Sequence, residues 1–124
     1  MSECCCGSGK PYAACCEPLH TGVAAAVSAE ALMRSRYSAF VLGLADYLLA
    51  SWHPSTRPEQ LTLDAGVKWL GLSIKAHQVS SPDAATVEFV ARSRTGGAAA
   101  QRLHEISRFV REQGRWFYQD GEMR

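Results

Sequence analysis

The sequence has no cysteine beyond Cys16, no long hydrophobic run and almost no net charge. Its apolar runs fall well short of the roughly 20 residues that a membrane helix needs. No basic segment followed by an apolar one marks a secretory signal peptide. A formal net charge of +1 gives no strong overall attraction to nucleic acid or to a membrane surface. These absences predict a soluble cytoplasmic protein that does not associate with membranes.

The composition predicts one folded domain. The chain has 124 residues, of which 47% are hydrophobic and 20% are charged. These are ordinary values for a globular protein, so the chain can bury a core of its own. The length allows one domain with a small appendage.

All five cysteines lie between Cys4 and Cys16, as a C-x-C group followed by an adjacent pair. A disulfide framework fits poorly, because the count is odd, no export signal is present and cytoplasmic thiols stay reduced. Cysteines this close in sequence also make awkward local disulfides. Redox chemistry fits poorly too, because the thioredoxin-type C-x-x-C spacing is absent.

A closed metal site is the interpretation that the cysteine spacing favours. Structural zinc takes four tetrahedral ligands and commonly takes thiolates. Two pairs of closely spaced thiols can each form one edge of that tetrahedron, with "GSGKPYAA" as the connecting loop. Gly7 and Gly9 allow this loop to turn tightly and to bring N–H groups toward the sulfurs. An iron–sulfur cluster also uses four cysteines, but its runs are spaced C-x₂-C or wider, so zinc is preferred.

The segment "CCCGSGKPYAACC" resembles the SEC-C motif, a C-x-C-G-S-G sequence followed by an aromatic residue and then C-C or C-H. That motif is best known from the C-terminal zinc tail of the preprotein translocase ATPase SecA. The resemblance implies one Zn²⁺ per chain, with Tyr12 as the motif's aromatic residue and the ligands Cys4, Cys6, Cys15 and Cys16. Cys5 stands where the motif usually has proline, so a fifth thiol could compete with Cys4 as a ligand.

Segments beyond the motif resemble the YchJ-like family of small bacterial SEC-C proteins. They are "PYAACCEPLHTG", "EALMRSRYSAFVLGLADYLLASWHPSTRP", "WLGL" and "RFVREQGRWFYQDG". The helical part also resembles the opening of nuclear transport factor two-like (NTF2-like) domains. This resemblance implies a curved sheet around a long helix, with a conical cavity between them. It implies a fold and a metal and leaves the activity open.

The hydrophobic pattern independently predicts helices first and then an antiparallel meander, which is an α+β fold. Ser28 is the expected N-cap of the first helix, Gly43 its end, and a second helix runs from Asp46 to Trp52. One further short turn is expected over 58–64. Two segments alternate as strands do: Leu70, Leu72 and Ile74, and then Val87, Phe89 and Ala91.

The predicted organisation has two parts. Residues 1–22 form a SEC-C-type zinc knuckle, and residues 23–124 form the α+β domain. Within the domain we expect helices over about 28–52 and strands over about 67–77, 84–93, 100–112 and 115–119.

Glu105 is the candidate functional residue of the domain, because it shares a strand face with Leu103, Ser107 and Phe109. On the core side it would need a partner, for which Arg34 and Arg36 are candidates. It would then be a general acid or base, a ligand anchor, or half of a structural ion pair. On the other face it would be an ordinary exposed glutamate.

The other candidates have simpler interpretations. His20 follows the knuckle and is expected to support it rather than to bind metal. His53, His77 and His104 are isolated and are expected to be structural or exposed. The tryptophans are expected to be core aromatics, namely Trp52, Trp69 and Trp116. Seven arginines from Arg92 onward either solvate the sheet or weakly favour an acidic or RNA partner.

Two functions remain from the sequence. The first is an interaction module whose knuckle contacts a protein or the ribosome, as the resemblance to the SecA tail implies. The alternative is a small-molecule-binding protein or enzyme that uses the cavity. No catalytic constellation is visible, so we lean against an enzyme, and neither ligand nor role follows from the sequence.

Overall fold

The computed structural model describes residues 3–63 and 66–124. In this part of the chain a short 3₁₀ turn, Tyr12–Ala14, precedes three helices and four strands. The helices are α1 (Glu17–His20), α2 (Ala29–Leu42) and α3 (Ala45–Ala50). The strands are β1 (Val67–Ser81), β2 (Ala84–Thr95), β3 (Gln101–Glu112) and β4 (Arg115–Met123). None of the described helices has the length and apolar character to cross a membrane.

The boundaries of α2 are where the sequence predicts them. Ser28 has an extended backbone, and its hydroxyl accepts a hydrogen bond from the Ala31 N–H at 3.1 Å. Such a side-chain acceptor satisfies one of the free N–H groups at a helix start. Gly43 adopts the left-handed conformation, with φ of 76°, and ends the helix. The next helix, α3, stops at Ala50, short of the expected Trp52, whose backbone instead bridges to Tyr118.

The four strands form one antiparallel sheet in sequence order, β1-β2-β3-β4. The α+β prediction is therefore confirmed. Turns join the strands at Pro82–Asp83 and at Gln113–Gly114. The outer strands run further than expected, to Ser81 in β1 and Met123 in β4.

The alternation predicted for β1 is wrong at Leu70. Trp69 pairs with Ser93 and Gly71 pairs with Arg92, so Leu70 is an extra residue without a partner. A bulge of this kind shifts the inward-facing set by one position, and Leu70 is 42% exposed. Two more register shifts follow in the same strand, and bulges bend a strand. Residues 58–63 contain no helical turn, and Asp64 lies outside the described residues.

The core lies between α2 and the inner face of the sheet, where α2 packs on β1, β2 and β4. Its apolar members include Leu32, Met33, Tyr37, Val87, Phe89, Phe109 and Trp116. Three knuckle cysteines belong to the same continuous cluster: Cys4, Cys6 and Cys16. The predicted boundary at residues 22 and 23 is thus crossed by core packing.

Candidate metal centre

The first cysteines lie on a tight loop that folds back on itself. The Cys4 N–H donates to the Lys10 carbonyl at 2.7 Å, and the Gly7 N–H donates to the Cys4 carbonyl at 3.2 Å. Gly7 and Gly9 both have left-handed backbones, with φ of 82° and 83°, a conformation that glycine adopts without strain. The 3₁₀ turn and the start of α1 then place Cys15 and Cys16 opposite this loop.

Four cysteine sulfurs converge. The Sγ atoms of the C-x-C and CC groups all lie within 4.8 Å of one another: Cys4, Cys6, Cys15 and Cys16. Two of the separations are 3.6 Å and 3.8 Å. A tetrahedron with Zn–S bonds of about 2.3 Å has edges of about 3.8 Å, whereas bonded sulfurs are about 2.05 Å apart. The spacing therefore matches a tetrahedral thiolate metal site, and all five cysteines are free thiols.

Cys5 points away from this cluster. Its side chain is exposed, whereas Cys4 and Cys6 are 4% and 0% exposed. Of the two cysteines between which the sequence leaves the first ligand open, only Cys4 lies with the other three sulfurs.

The cysteine thiols of the cluster strongly perturb one another's pKa values. Burial raises the pKa of Cys4 to about 11. A hydrogen bond with Cys16 lowers the pKa of Cys6 to about 4, and the same contact raises the pKa of Cys16. The Cys6 sulfur is thus stabilised as a thiolate, whereas Cys4 and Cys16 keep their protons. A metal must displace those protons, so metal affinity falls as the pH falls.

Two polar groups that sequence reasoning did not assign to the site support it. The Ser8 hydroxyl lies 3.0 Å from the Cys15 sulfur, and the Arg34 guanidinium donates to the Cys6 carbonyl at 2.7 Å. Ser8 is the serine of the loop's G-S-G sequence, and that motif could have identified it as part of the site. Arg34 is 28 residues away in sequence, and no local pattern indicates its contact. The Lys10 residue, by contrast, is exposed.

His20 lies between the knuckle and α2, and its ring nitrogens are not among the clustered ligand atoms. Its Nδ1 lies 2.7 Å from the Tyr12 hydroxyl and its Nε2 lies 2.8 Å from the Ser35 carbonyl. Since a carbonyl only accepts, Nε2 carries the proton and Nδ1 accepts from Tyr12. The motif's aromatic residue is thereby connected to α2 through a single imidazole.

Residues 28–121 match the profile described as "YchJ, middle NTF2-like domain". The chain belongs to this family. It is 60% identical to a UPF0225 protein of Polaromonas naphthalenivorans over 112 residues, which cover 90% of this chain and 82% of the relative. It is 56% identical to a UPF0225 protein of Bordetella parapertussis over 126 residues, which cover 99% and 94%.

Two solved structures share the family's architecture. The solution structure of a SEC-C motif containing protein from Rhodopseudomonas palustris superposes with a TM-score of 0.86 at 38% identity, covering 96% of both chains. The crystal structure of a SEC-C motif containing protein from Psychrobacter arcticus gives 0.80 at 31% identity, covering 94% of this chain and 80% of that one. The NTF2-like fold and the SEC-C motif predicted from the sequence are confirmed.

In this YchJ-like domain Glu105 lies on the core side of the sheet, which is the first of the two positions considered from the sequence. It lines a cavity of about 270 Å³ beneath α2 together with Arg36. Arg34 is not its partner, because residues two apart on a helix face different directions and Arg34 reaches the knuckle instead. The Ser107 hydroxyl donates to the Glu105 carboxylate. The backbone of Gly121 leaves room for it, since a Cβ there would lie 2.7 Å from Glu105 Cδ.

The remaining histidines do not converge on one site. Each lies near a different carboxylate: His53 Nε2 is 2.7 Å from Glu112, His104 Nε2 is 2.7 Å from Glu88, and His77 Nδ1 is 3.9 Å from Glu30. Of the tryptophans, Trp116 is buried, and Trp52 and Trp69 are half-buried.

The basic residues of the sheet include two contrasting sets. Arg108 and Arg111 form ion pairs with nearby acids. At the other end of the sheet, Arg92 pairs directly across strands with Arg102, and Arg94 pairs with Lys68. All four of these side chains are exposed, and none forms an ion pair within the described residues. We call these four residues the basic face. Like charges directly opposite each other destabilise a sheet.

Proposed function

We propose that the four clustered cysteines hold one Zn²⁺ and that the chain is an interaction module whose partner is a protein or the ribosome. The observation that carries this proposal is the convergence of four sulfurs at distances that suit a zinc tetrahedron. Zinc fits this donor set better than an iron–sulfur cluster, because the C-x-C and CC spacings are tighter than cluster-binding runs.

The proposed zinc is structural rather than catalytic. Four thiolates complete its coordination and leave no position for the water that catalytic zinc activates. Four thiolates and one Zn²⁺ carry a net charge of about −2, which the Arg34 guanidinium and nearby N–H groups partly offset. The metal would then fix the shape of the loop around Gly7 and Gly9, and the exposed side of that loop is what a partner would contact.

Among partners, the ribosome is the one that this chain's own charges support. The basic face carries four exposed cations that form no ion pair within the described residues, and phosphate backbones attract such groups strongly. The resemblance of the knuckle to the SecA tail supports the same choice by analogy. A protein partner is the alternative outcome of the test.

Co-sedimentation with ribosomes tests the proposal. The zinc-loaded chain should co-sediment at physiological salt, and Cys15→Ser should abolish this, whereas Cys5→Ser should not. If co-sedimentation is lost in the charge-reversed variant Arg94→Glu but not in Cys15→Ser, the basic face binds the ribosome without the knuckle. That result would overturn the proposed role of the knuckle. No co-sedimentation, with capture of a specific protein that requires Cys15, would replace the ribosome by a protein partner.

A further inference from the structure

The cavity under α2 is lined by a buried cation whose hydrogen-bonding capacity is only partly used. Arg36 is 4% exposed, and it forms no ion pair within the described residues. Its Nη1 donates to the Leu48 carbonyl at 2.8 Å and to the Ser51 hydroxyl at 2.6 Å. Its Nε and Nη2 donate to no described residue. Three N–H groups of this guanidinium therefore have no partner among the described residues, and Arg36 lines the cavity.

Burying an unpaired charge is costly, by several kcal/mol after relaxation. Part of this cost is offset because the guanidinium lies 4.5 Å from the ring centre of Tyr118 and 5.4 Å from that of Trp52. Burial lowers the pKa of Arg36 to about 10, so the group is still charged at neutral pH. Because these N–H groups have no partner among the described residues, an anionic group that enters from outside could bind them.

The same cavity contains one acid. Glu105 accepts from Ser107, and it forms no ion pair with Arg36 or with any other described residue. A simple anion in this cavity would be attracted by Arg36 and repelled by Glu105. A ligand with both a carboxylate and an N–H or ammonium group would satisfy both charges.

Most of the remaining wall is aromatic, and aliphatic side chains complete it. The aromatic part is formed by Tyr37, Phe40, Trp52, Trp69, Phe89 and Tyr118. The volume of about 270 Å³ lies just below the roughly 300–1,000 Å³ of typical small-molecule sites. Such a space suits a small ring rather than a nucleotide or a chain of sugars.

We propose that this cavity binds a small aromatic compound that carries a carboxylate and an ammonium or N–H group, the chemistry of a free aromatic amino acid. The carboxylate pairs with Arg36, the cationic group faces Glu105, and the ring lies among the aromatic walls. This site is independent of the metal and of any macromolecular partner.

A matched set of four compounds tests the proposal by NMR titration of the zinc-loaded full chain. L-phenylalanine carries both charges, phenylpropionate only the carboxylate, phenethylamine only the amine, and phenethyl alcohol neither. We expect saturable shifts at the Trp52 and Trp69 indole N–H groups, with each single-charge analogue binding roughly tenfold more weakly than phenylalanine. Absence of saturable shifts with L-phenylalanine at millimolar concentration would overturn the proposal, as would equal affinities across the set.

Two variants assign the charges. Glu105→Gln should weaken the binding of phenylalanine and of phenethylamine. The affinity for phenylpropionate should stay the same or rise. Arg36→Met should weaken the binding of phenylalanine and of phenylpropionate and leave the affinity for phenethylamine unchanged. Arg36 also supports α3, so its variant could fail to fold. In that case Glu105→Gln alone tests the proposal. If this variant still prefers phenylalanine over phenylpropionate to the same degree, Glu105 does not bind the ammonium group and the proposal is rejected.

Discussion

Arg34 Nη1 donates a hydrogen bond to the carbonyl oxygen of Cys6 at 2.7 Å, which connects the middle of α2 to the first half of the metal knuckle. Arg34 Nε also contacts Glu30 at 3.2 Å, so the guanidinium is held on the knuckle side of the helix. Together with the contact between His20 and Ser35, this bond makes the knuckle part of one packed unit with the domain.

Removing the Arg34 contact should destabilise the knuckle and the domain together. Arg34→Met should lower the free energy of unfolding by about 2 kcal/mol, because a hydrogen bond from a charged donor is lost. It should also speed zinc release to a chelator. Thermal unfolding and a chromogenic zinc assay measure the two effects. The control is Glu30→Gln, which removes the ion pair and leaves Arg34 free to bond Cys6. Equal loss in both variants would show that the ion pair, and not the Cys6 contact, is what matters.

Zinc content should separate Cys5 from the other cysteines. Cys5→Ser should keep one zinc per chain, whereas Cys6→Ser, Cys15→Ser and Cys16→Ser should each lose most of it, because three thiolates hold zinc less tightly than four. In the zinc-loaded protein one thiol should react rapidly with a thiol reagent, and that signal should vanish in Cys5→Ser. If it vanishes in Cys4→Ser with zinc retained, Cys5 is the ligand. Iron with visible absorption would contradict the metal assignment.

The sequence predicted the elements that depend on local chemistry. Ser28 and Gly43 delimit α2 because capping needs only a neighbouring N–H or a left-handed backbone. Likewise the alternation of Val87, Phe89 and Ala91 identified the inner face of β2, where all three are buried.

The sequence could not reveal features that depend on register or on distant contacts. The bulge at Leu70 moves an apolar residue to the surface without any change in composition, and only pairing with β2 shows it. The contact of Arg34 with Cys6 spans 28 residues. The same limit applies to Gly121, whose missing side chain accommodates a carboxylate from the neighbouring strand.

Gly121→Ala should therefore have an effect that depends on Glu105. The new Cβ would overlap the Glu105 carboxyl group, so the substitution should cost about 1 kcal/mol and separate the carboxylate from Ser107. In a Glu105→Ala background the same substitution should cost almost nothing. Gly97→Ala is the control, because a Cβ there meets nothing within 4 Å and its φ is ordinary. Chemical denaturation of the four-variant cycle measures the coupling, and additive effects would show that the two residues do not compete for space.

Charge reversal at the two ends of the sheet should have opposite effects on stability. Arg102 lies directly opposite Arg92, so Arg102→Glu replaces a repulsive cross-strand pair by an attractive one and should stabilise the fold by about 0.2–1 kcal/mol. Arg108 pairs with Asp120 and Glu122, so Arg108→Glu should destabilise it. Both effects should shrink at about 1 M salt, where the screening length is about 3 Å. Denaturant titrations at low and high salt measure them.

A gain in stability from Arg102→Glu would indicate that the basic face is retained for binding rather than for folding. The same variant should then co-sediment less with ribosomes although it is more stable, a combination that damage to the fold cannot produce. Arg108→Glu serves as the matched charge reversal, and it should affect co-sedimentation less because its positive charge is already neutralised by two acids. If Arg102→Glu is more stable and binds ribosomes as well as the parent chain, the basic face makes no contact with RNA. Any ribosome contact would then have to be made by the knuckle alone.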